Sequence, residues 1–220
     1  MSNIAPPPTR AAWMQVCGGL TIAWILPELD LGRWAGTGNG DAATLLREAC
    51  WWVYAAVLVA YVLRVERKPL ASIGMRRPNW KTPVFGVLAA IVMIATVVLS
   101  YNVIFPLLGL QMNRTAVDKI THHPQWVQLL IFARAAVVEE ILYRGYPIER
   151  IQQLTGSKWI AFVVSAVVFI LAHLAGWGGA QLIVVTFGAV ILGLLYLWRR
   201  DLVCNMVAHF LVDAVSFANT

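Results

Sequence analysis

The stretch PVFGVLAAIVMIATVVLSYNVIF, residues 83–105, decides the fold class. It contains no Asp, Glu, Lys or Arg, and it exceeds the roughly 20 residues that an α-helix needs to cross the hydrocarbon core of a bilayer. Pro83 opens the run and Pro106 follows it. This stretch therefore predicts a transmembrane helix.

Similar apolar runs lie on both sides of this stretch, separated by short polar segments. A Gly-rich loop is expected at 32–40, and a polar loop with His122 and His123 should precede the fourth helix. We expect an all-α, multi-pass transmembrane bundle of about seven helices. The expected helices cover about 11–27, 44–63, 83–105, 124–154, 158–174, 180–198 and 202–218.

Nearly the whole length is taken up by these runs, so we expect one membrane domain with three parts. Residues 1–10, which include Pro6-Pro7-Pro8, predict a disordered N-terminal tail. Residues 11–124 predict the N-terminal transmembrane helices. Residues 125–218 contain the charged motifs described below and predict the catalytic helices.

The composition agrees with a membrane protein. The chain is 60% hydrophobic and 13% charged, whereas soluble domains carry about 25% charged residues. The net charge of +6 does not indicate nucleic-acid binding, because the basic residues cluster in short loops between apolar runs. We expect those loops, and the N-terminus, to be cytoplasmic, with the C-terminus outside. The clustered basic residues are Arg64, Arg67, Lys68, Arg76, Arg77, Lys81, Arg199 and Arg200.

Neither a leader peptide nor a disulfide framework is predicted. The first apolar run is followed by Glu28 and Asp30 and not by a small-residue cleavage site, so it predicts a helix that is retained. The three cysteines are scattered through apolar segments and form no metal-binding pair.

Charged side chains at membrane depth cost about 2.5–3.5 kcal/mol each on insertion scales, so they usually face the protein interior and serve a function. In this chain they collect on three predicted helices. The groups are Glu139-Glu140-x-x-x-Arg144, Phe169-x-x-x-His173, and His209-x-x-x-Asp213 with Asn205 one turn earlier.

Helical geometry separates the two adjacent glutamates. Glu140 and Arg144 are four residues apart and share a face, so they are expected to pair. Glu139 points about 100° away from Glu140 and is therefore the carboxylate less neutralised by Arg144. Glu139 and His173 are also equidistant from Gly156, the predicted turn between their helices, which places them at one depth.

Structural interpretations of the same residues remain open. A single membrane histidine is often only an interhelical hydrogen bond, and Glu140 with Arg144 can form an ion pair of purely structural value. Arg134 is expected either to pair with an acid such as Asp213 or to extend outward. A metal role for His122 and His123 is a minor alternative.

The three groups, in this order, resemble the motifs of the CPBP family. This family comprises CaaX proteases of the Ras-converting type and bacterial relatives linked to bacteriocin processing and self-immunity. The resemblance covers residues from about 125 to 217. It implies proteolysis at the membrane, near the C-terminus of a substrate in the CaaX members.

The resemblance also implies roles for individual residues. Glu139 and His209 would activate the attacking water, and His173 and Asp213 would stabilise the oxyanion. The remaining motif residues would support them structurally: Glu140, Arg144, Phe169 and Asn205.

Two features of the site leave alternatives. Many family members carry Asn where this chain has Asp213, and an ionised Asp cannot donate a hydrogen bond to an oxyanion. Asp213 would instead orient His209 or act in its protonated form. A glutamate and two histidines also suit Zn²⁺, but there is no His-Glu-x-x-His helix. The resemblance implies a glutamate-activated water without a metal, so we expect catalysis without a cofactor, with Zn²⁺ as the alternative.

The sequence thus predicts an intramembrane endopeptidase of the bacterial plasma membrane that acts on a membrane-associated peptide or protein. Its cavity is expected to open toward the cytoplasm or laterally to lipid. Two alternatives are a non-enzymatic immunity or binding partner and a proton-coupled transporter. The sequence identifies neither the substrate nor the oligomeric state.

Overall fold

The computed structural model describes residues 9–29 and 40–218, and over these residues the chain forms helices without strands. The all-α prediction is confirmed. The α-helices are α1 (Arg10–Leu20), α2 (Asp41–Ala60), α3 (Lys81–Leu99), α4 (Arg114–Thr121), α5 (Gln125–Arg134), α6 (Tyr146–Thr155), α7 (Lys158–Ala172), α8 (Leu182–Arg199) and α9 (Leu202–Phe217).

Several helices continue directly into turns of another type. The π-helical segments are Thr21–Ile25 after α1, Tyr61–Val65 after α2, Ser100–Ile104 after α3, and Ala135–Gly145, which joins α5 to α6. Shorter elements are the 3₁₀ turns Leu26–Leu29 and Leu70–Ile73 and the single α-turns Phe105–Leu107 and Leu174–Trp177.

Within the described residues, four continuous helices are long and apolar enough to cross a membrane: Asp41–Val65, Lys81–Leu107, Lys158–Trp177 and Leu182–Arg199. The helix Leu202–Phe217 is apolar but shorter. Large apolar side chains such as Leu88 and Ile91 on α3 are exposed on the outer surface of the bundle. Contact of these side chains with lipid tails is more favourable than contact with water. The protein is therefore a membrane protein.

One segment that was expected to be a loop is helical. Residues 114–121 were predicted as part of a polar loop, and that prediction was wrong, because they form α4. The Asn113 side chain accepts a hydrogen bond from the Ala116 amide, which caps this short helix at its first turn. The predicted tail and Gly-rich loop lie outside the described residues, apart from residues 9–10 and 40, which adjoin or begin helices.

Close packing between α3 and α9 depends on a glycine. A Cβ atom added at Gly86 would lie 2.8 Å from the Cβ atom of Val207 and 3.0 Å from the backbone oxygen of Cys204. Small residues at such contacts let membrane helices approach and gain dispersion energy. This approach places α9, which carries His209, against the middle of the bundle.

One end of the bundle, which we call the basic end, gathers three polar loops. The amide of Leu202 donates to the Gly74 carbonyl at 2.9 Å, and Lys68 donates to Gln153 at 2.8 Å. Loop 66–80 and the turns 156–157 and 200–201 therefore lie together. The lysines and arginines in or beside these loops are Arg64, Arg67, Lys68, Arg76, Arg77, Lys81, Arg150, Lys158, Arg199 and Arg200.

The other end, which we call the opposite end, joins the loop around α4 to the ends of other helices. The Asn113 side chain donates to the Trp177 carbonyl at 3.0 Å. Tyr101, in the π-helical segment after α3, and Gln181, just before α8, form a side-chain hydrogen bond of 2.9 Å. Phe217, the last residue of α9, lies 6.1 Å from Trp177 between ring centroids.

The basic end is stabilised by a buried ion pair. Arg150 on α6 contacts Glu66 at 2.6 Å, and both side chains are at most 3% exposed. We expect Arg150→Met to lower the free energy of unfolding by roughly 3–5 kcal/mol, because Glu66 would remain buried without its partner. Thermal unfolding in detergent measures this change. Arg77→Met, on an exposed side chain of the same end, is the matched control, and an equal effect of both variants would contradict a stabilising role for the ion pair.

Candidate active site

The central helix of the site runs without interruption from Gln125 to Thr155 and contains both adjacent glutamates in its π-helical part, Ala135–Gly145. Residues 140–148 are all buried. Long π-helical segments are rare and often occur at functional sites. The winding of this segment determines which side chains face one another.

Glu139 is held by an arginine on its own helix. Arg134 Nη1 donates to Glu139 Oε1 at 2.7 Å, and Arg134 also donates from Nε to Glu48 Oε2 on α2. Arg134 and Glu139 are five residues apart, the interval that a π-helix brings together. Arg134 does pair with acids, as one of the two expectations had it, but these acids are Glu139 and Glu48 and not Asp213. Glu139 was not predicted as the partner because α-helical periodicity places residues i and i+5 on different faces.

His173 approaches the second oxygen of the same carboxylate. Its Nε2 atom lies 3.8 Å from Glu139 Oε2, so the structure brings these two predicted residues together. Its Nδ1 atom is 2.7 Å from the Phe169 carbonyl oxygen, which can only accept a hydrogen bond. Nδ1 therefore carries the proton, and Nε2 of the neutral ring has a free lone pair that faces Glu139.

Glu140 lies on a different face and is completely buried. Its Oε1 atom accepts from Arg144 Nη1 and from His209 Nδ1, both at 2.9 Å. Its Oε2 atom accepts from Asn205 at 3.1 Å. This carboxylate thus connects the central helix to α9 and fixes the orientation of the His209 ring.

The other ring nitrogen of His209 points toward Asp213. His209 Nε2 lies 3.6 Å from Asp213 Oδ2, beyond direct hydrogen-bond length. Because Nδ1 donates to Glu140, Nε2 is the atom of His209 that is available to a ligand.

The Phe169 ring packs against Arg144 and His173. The guanidinium carbon of Arg144 lies 3.9 Å from the centroid of the Phe169 ring, a cation–π distance. The His173 ring is 4.3 Å away on the same helix. The Phe169 ring therefore supports both Arg144 and His173, and the Phe169 carbonyl also accepts the hydrogen bond from His173 Nδ1.

A cavity of about 220 Å³ adjoins these residues. The predicted catalytic residues all line it: Glu139, His173, His209 and Asp213. Arg134 and Phe169 also contribute to its wall, whereas Glu140, Arg144 and Asn205 are not among the lining residues.

Glu48, which shares Arg134 with Glu139, was not predicted from the sequence as a residue of the site. A signal was present, because Glu48 is an acidic residue inside the predicted second helix, 44–63, and such a residue needs a partner. The adjacent Trp51 ring lies 5.3 Å from the Arg134 guanidinium carbon. The N-terminal helices thus contribute to the site.

The remaining histidines lie apart from this site. His123 bonds to Asp41 at 2.5 Å through Nδ1 and to Thr44 at 3.1 Å through Nε2. It connects the loop after α4 to the start of α2. Across residues 9–29 and 40–218, no three His, Cys, Asp or Glu side chains are grouped closely enough to hold a metal ion.

Residues 121–215 match the protein family described as Type II CAAX prenyl endopeptidase Rce1-like. The chain carries an Rce1-like domain. The matched residues include all three charged motifs, which confirms the resemblance to CPBP-family CaaX proteases. Comparison with curated proteins and with solved structures gives no match.

The Rce1-like family implies a protease that acts on a membrane-associated substrate. The central helix from Gln125, α7, α8 and most of α9 lie inside the matched segment, whereas α1 to α3 lie outside it. Glu48 is therefore a contribution to the site from outside the Rce1-like domain.

We expect Glu140→Gln to destabilise the protein more than Glu139→Gln. The Glu140 carboxylate is buried between three donors, and losing its charge leaves Arg144 without its partner, at a cost of about 3–5 kcal/mol. Glu139 borders a cavity, and Glu48 still pairs with Arg134 when Glu139 is neutral. Thermal unfolding in detergent compares the two variants, and equal midpoints would contradict the structural role of Glu140.

Proposed function

We propose that this protein is an intramembrane endopeptidase that hydrolyses a peptide bond of a membrane-associated substrate, near the substrate's C-terminus, with a water activated by glutamate and histidine. The observation that carries this proposal is the 3.8 Å approach of Glu139 and His173 on the wall of a cavity within the Rce1-like domain. The catalytic groups come from three helices that converge at mid-bundle.

The two groups that face each other are both hydrogen-bond acceptors. Glu139 Oε2 offers carboxylate lone pairs, and His173 Nε2 offers the ring lone pair, since Nδ1 donates to the Phe169 carbonyl. One water that donates a hydrogen bond to each would direct its own lone pair into the cavity. Glu139 would take the proton as this water attacks the carbonyl carbon, and would pass it to the amide nitrogen as the C–N bond breaks and the amine leaves.

His209 and Asp213 are placed to stabilise the oxyanion. As an imidazolium, His209 would present an Nε2–H group, and as a neutral acid, Asp213 would present an O–H group. One proton shared by His209 and Asp213 therefore supplies a hydrogen-bond donor whichever of the two residues carries it. The family resemblance implied that His209 helps to activate the water and that His173 stabilises the oxyanion. We assign these two roles the other way round, because His173 lies beside Glu139.

Arg134 and Glu48 would hold the base in place. Arg134 binds Oε1 of Glu139, which leaves Oε2 directed at His173. Glu48 offsets the positive charge of Arg134. The ion pair with Arg134 therefore orients Glu139 and still leaves it able to accept a proton. Arg134 and Glu48 are positioning residues in this mechanism.

We propose that the reaction needs no cofactor. The described side chains form no three-ligand metal site, and the acceptors and donors above supply a base and an oxyanion site. We also place the protein in a bacterial plasma membrane with a cytoplasmic N-terminus. The concentration of lysine and arginine at the basic end supports this orientation.

We expect Glu139→Gln to abolish cleavage, because general-base catalysis contributes about 10²–10⁴-fold and glutamine cannot accept the proton. Protein termini compared by mass spectrometry, in host cells that carry the intact chain or the variant, measure this loss. Termini of membrane proteins that disappear with Glu139→Gln would also identify the substrate.

The matched control for this comparison is Glu28→Gln, which removes an exposed carboxylate that is not among the residues lining the cavity. It should leave the termini of the substrate unchanged. If both variants are well expressed and both give the termini of the intact chain, proteolysis through Glu139 is refuted and a binding function is favoured.

We expect Asp213→Asn to retain cleavage, because the asparagine amide donates to an oxyanion without carrying a negative charge. Asp213→Leu should lower the rate by about 10²–10³-fold through loss of one oxyanion donor. Initial rates on the substrate identified by its termini measure both variants. Equal loss in the two would show that Asp213 acts through its charge and not as a donor.

A further inference from the structure

We propose that the active-site cavity receives its substrate from the non-cytoplasmic side of the membrane. The substrate would then be an apolar C-terminal or juxtamembrane segment of a membrane-anchored protein presented on that side. This inference rests on the proposed endopeptidase function for the reaction, but the direction of access follows from the cavity and the charges.

The lining of the cavity extends in one direction from the catalytic residues. It continues from Glu139 to Met112, Val117, Gln181 and Phe217. These residues belong to the opposite end, where Asn113 contacts Trp177 and Tyr101 contacts Gln181. Within the described part of the chain, no lysine or arginine of the basic end lines the cavity.

Tightly packed side chains separate the catalytic residues from the basic end. Residues 140–148 of the central helix are all buried. Glu140 and Arg144 fill the space toward α9, and Ser165 on α7 donates to the Tyr143 carbonyl. A peptide arriving from the basic end would have to open this layer and unpair buried charges, which is energetically costly.

The charges of the two ends indicate their sides of the membrane. The basic end carries ten lysines and arginines in or beside its loops, against the acids Glu66, Glu149 and Asp201. The described charges of the opposite end are mixed in sign: Glu28, Asp41, Arg47, Arg114, Asp118 and Lys119. Loops rich in lysine and arginine remain in the cytoplasm, so the cavity reaches toward the other side.

The chemistry of the wall indicates what the cavity accepts. Most lining side chains between Glu139 and the opposite end are apolar, such as Val97, Val117 and Val184, and Tyr101 with Gln181 supply hydrogen-bonding groups. An extended segment with apolar side chains fits this wall. A cytoplasmic lipid-anchored tail would have to cross the packed layer, so the sequence-based expectation of a cytoplasmic opening is not favoured.

Single-cysteine variants labelled with a membrane-impermeant maleimide test this proposal. The native Cys17, Cys50 and Cys204 are all unpaired and are first replaced by alanine. Val117→Cys places a thiol on the cavity wall. Arg77→Cys and Asp118→Cys report the exposed surfaces of the basic end and the opposite end. Each variant is labelled in right-side-out and in inverted membrane vesicles.

We expect Val117→Cys and Asp118→Cys to be labelled in right-side-out vesicles and Arg77→Cys only in inverted ones. Labelling of Arg77→Cys in right-side-out vesicles would reverse the orientation and overturn the proposal. Labelling of Val117→Cys only in inverted vesicles would show that the cavity opens to the basic end, with the same consequence.

The labelling does not depend on catalysis, so its result is separable from the proteolysis test. Adding Glu139→Gln to the Val117→Cys variant should leave the labelling pattern unchanged. If Glu139→Gln leaves the termini of the host-cell proteins unchanged while the labelling pattern is as expected, the proposed direction of access stands and the endopeptidase function fails. If cleavage is lost but the pattern is reversed, the function stands and the proposed direction of access fails.

Discussion

The site depends on one buried carboxylate. Glu140 is fully buried and accepts hydrogen bonds from Arg144 on its own helix and from His209 and Asn205 on α9. Without these donors a charge at this depth would cost several kcal/mol. With them, it holds α9 against the central helix and turns the His209 ring so that Nε2 faces the cavity.

The neighbouring Glu139, displaced by one residue, meets different surroundings. It lies about 100° around the helix from Glu140 and therefore meets a cavity instead of α9. Its partners are arranged differently, since Arg134 binds one oxygen and His173 faces the other. A carboxylate with one free oxygen is suited to accept a proton, whereas one whose two oxygens are both occupied is suited to connect helices.

Much of this arrangement was predictable from the sequence. The apolar runs predicted the helices, and the three motifs predicted that Glu139, His173, His209 and Asp213 would belong to one site, where all four line the cavity. The depth match of Glu139 and His173 about Gly156 followed from counting residues along two antiparallel helices. Such features depend only on helical rise and hydropathy, which a single sequence contains.

The parts that were missed depend on local winding and on distant contacts. The pairing of Arg134 with Glu139 requires the π-helical segment Ala135–Gly145, and apolar periodicity does not distinguish π from α over so few turns. The contact of Arg134 with Glu48 joins residues 86 positions apart and needs the packing of α2 to be known. The short helix α4 was not predicted because two turns of polar sequence resemble a loop.

The Glu48–Arg134 contact also explains how the two halves of the chain act together. The Rce1-like match covers residues 121–215 and so leaves out α2. Glu48 balances Arg134, and Arg134 would otherwise bind Glu139 as its only carboxylate partner. A stronger pairing would make Glu139 a weaker base. The N-terminal helices therefore do more than anchor the domain in the membrane, because one carboxylate on α2 adjusts the ion pair that orients the proposed catalytic base.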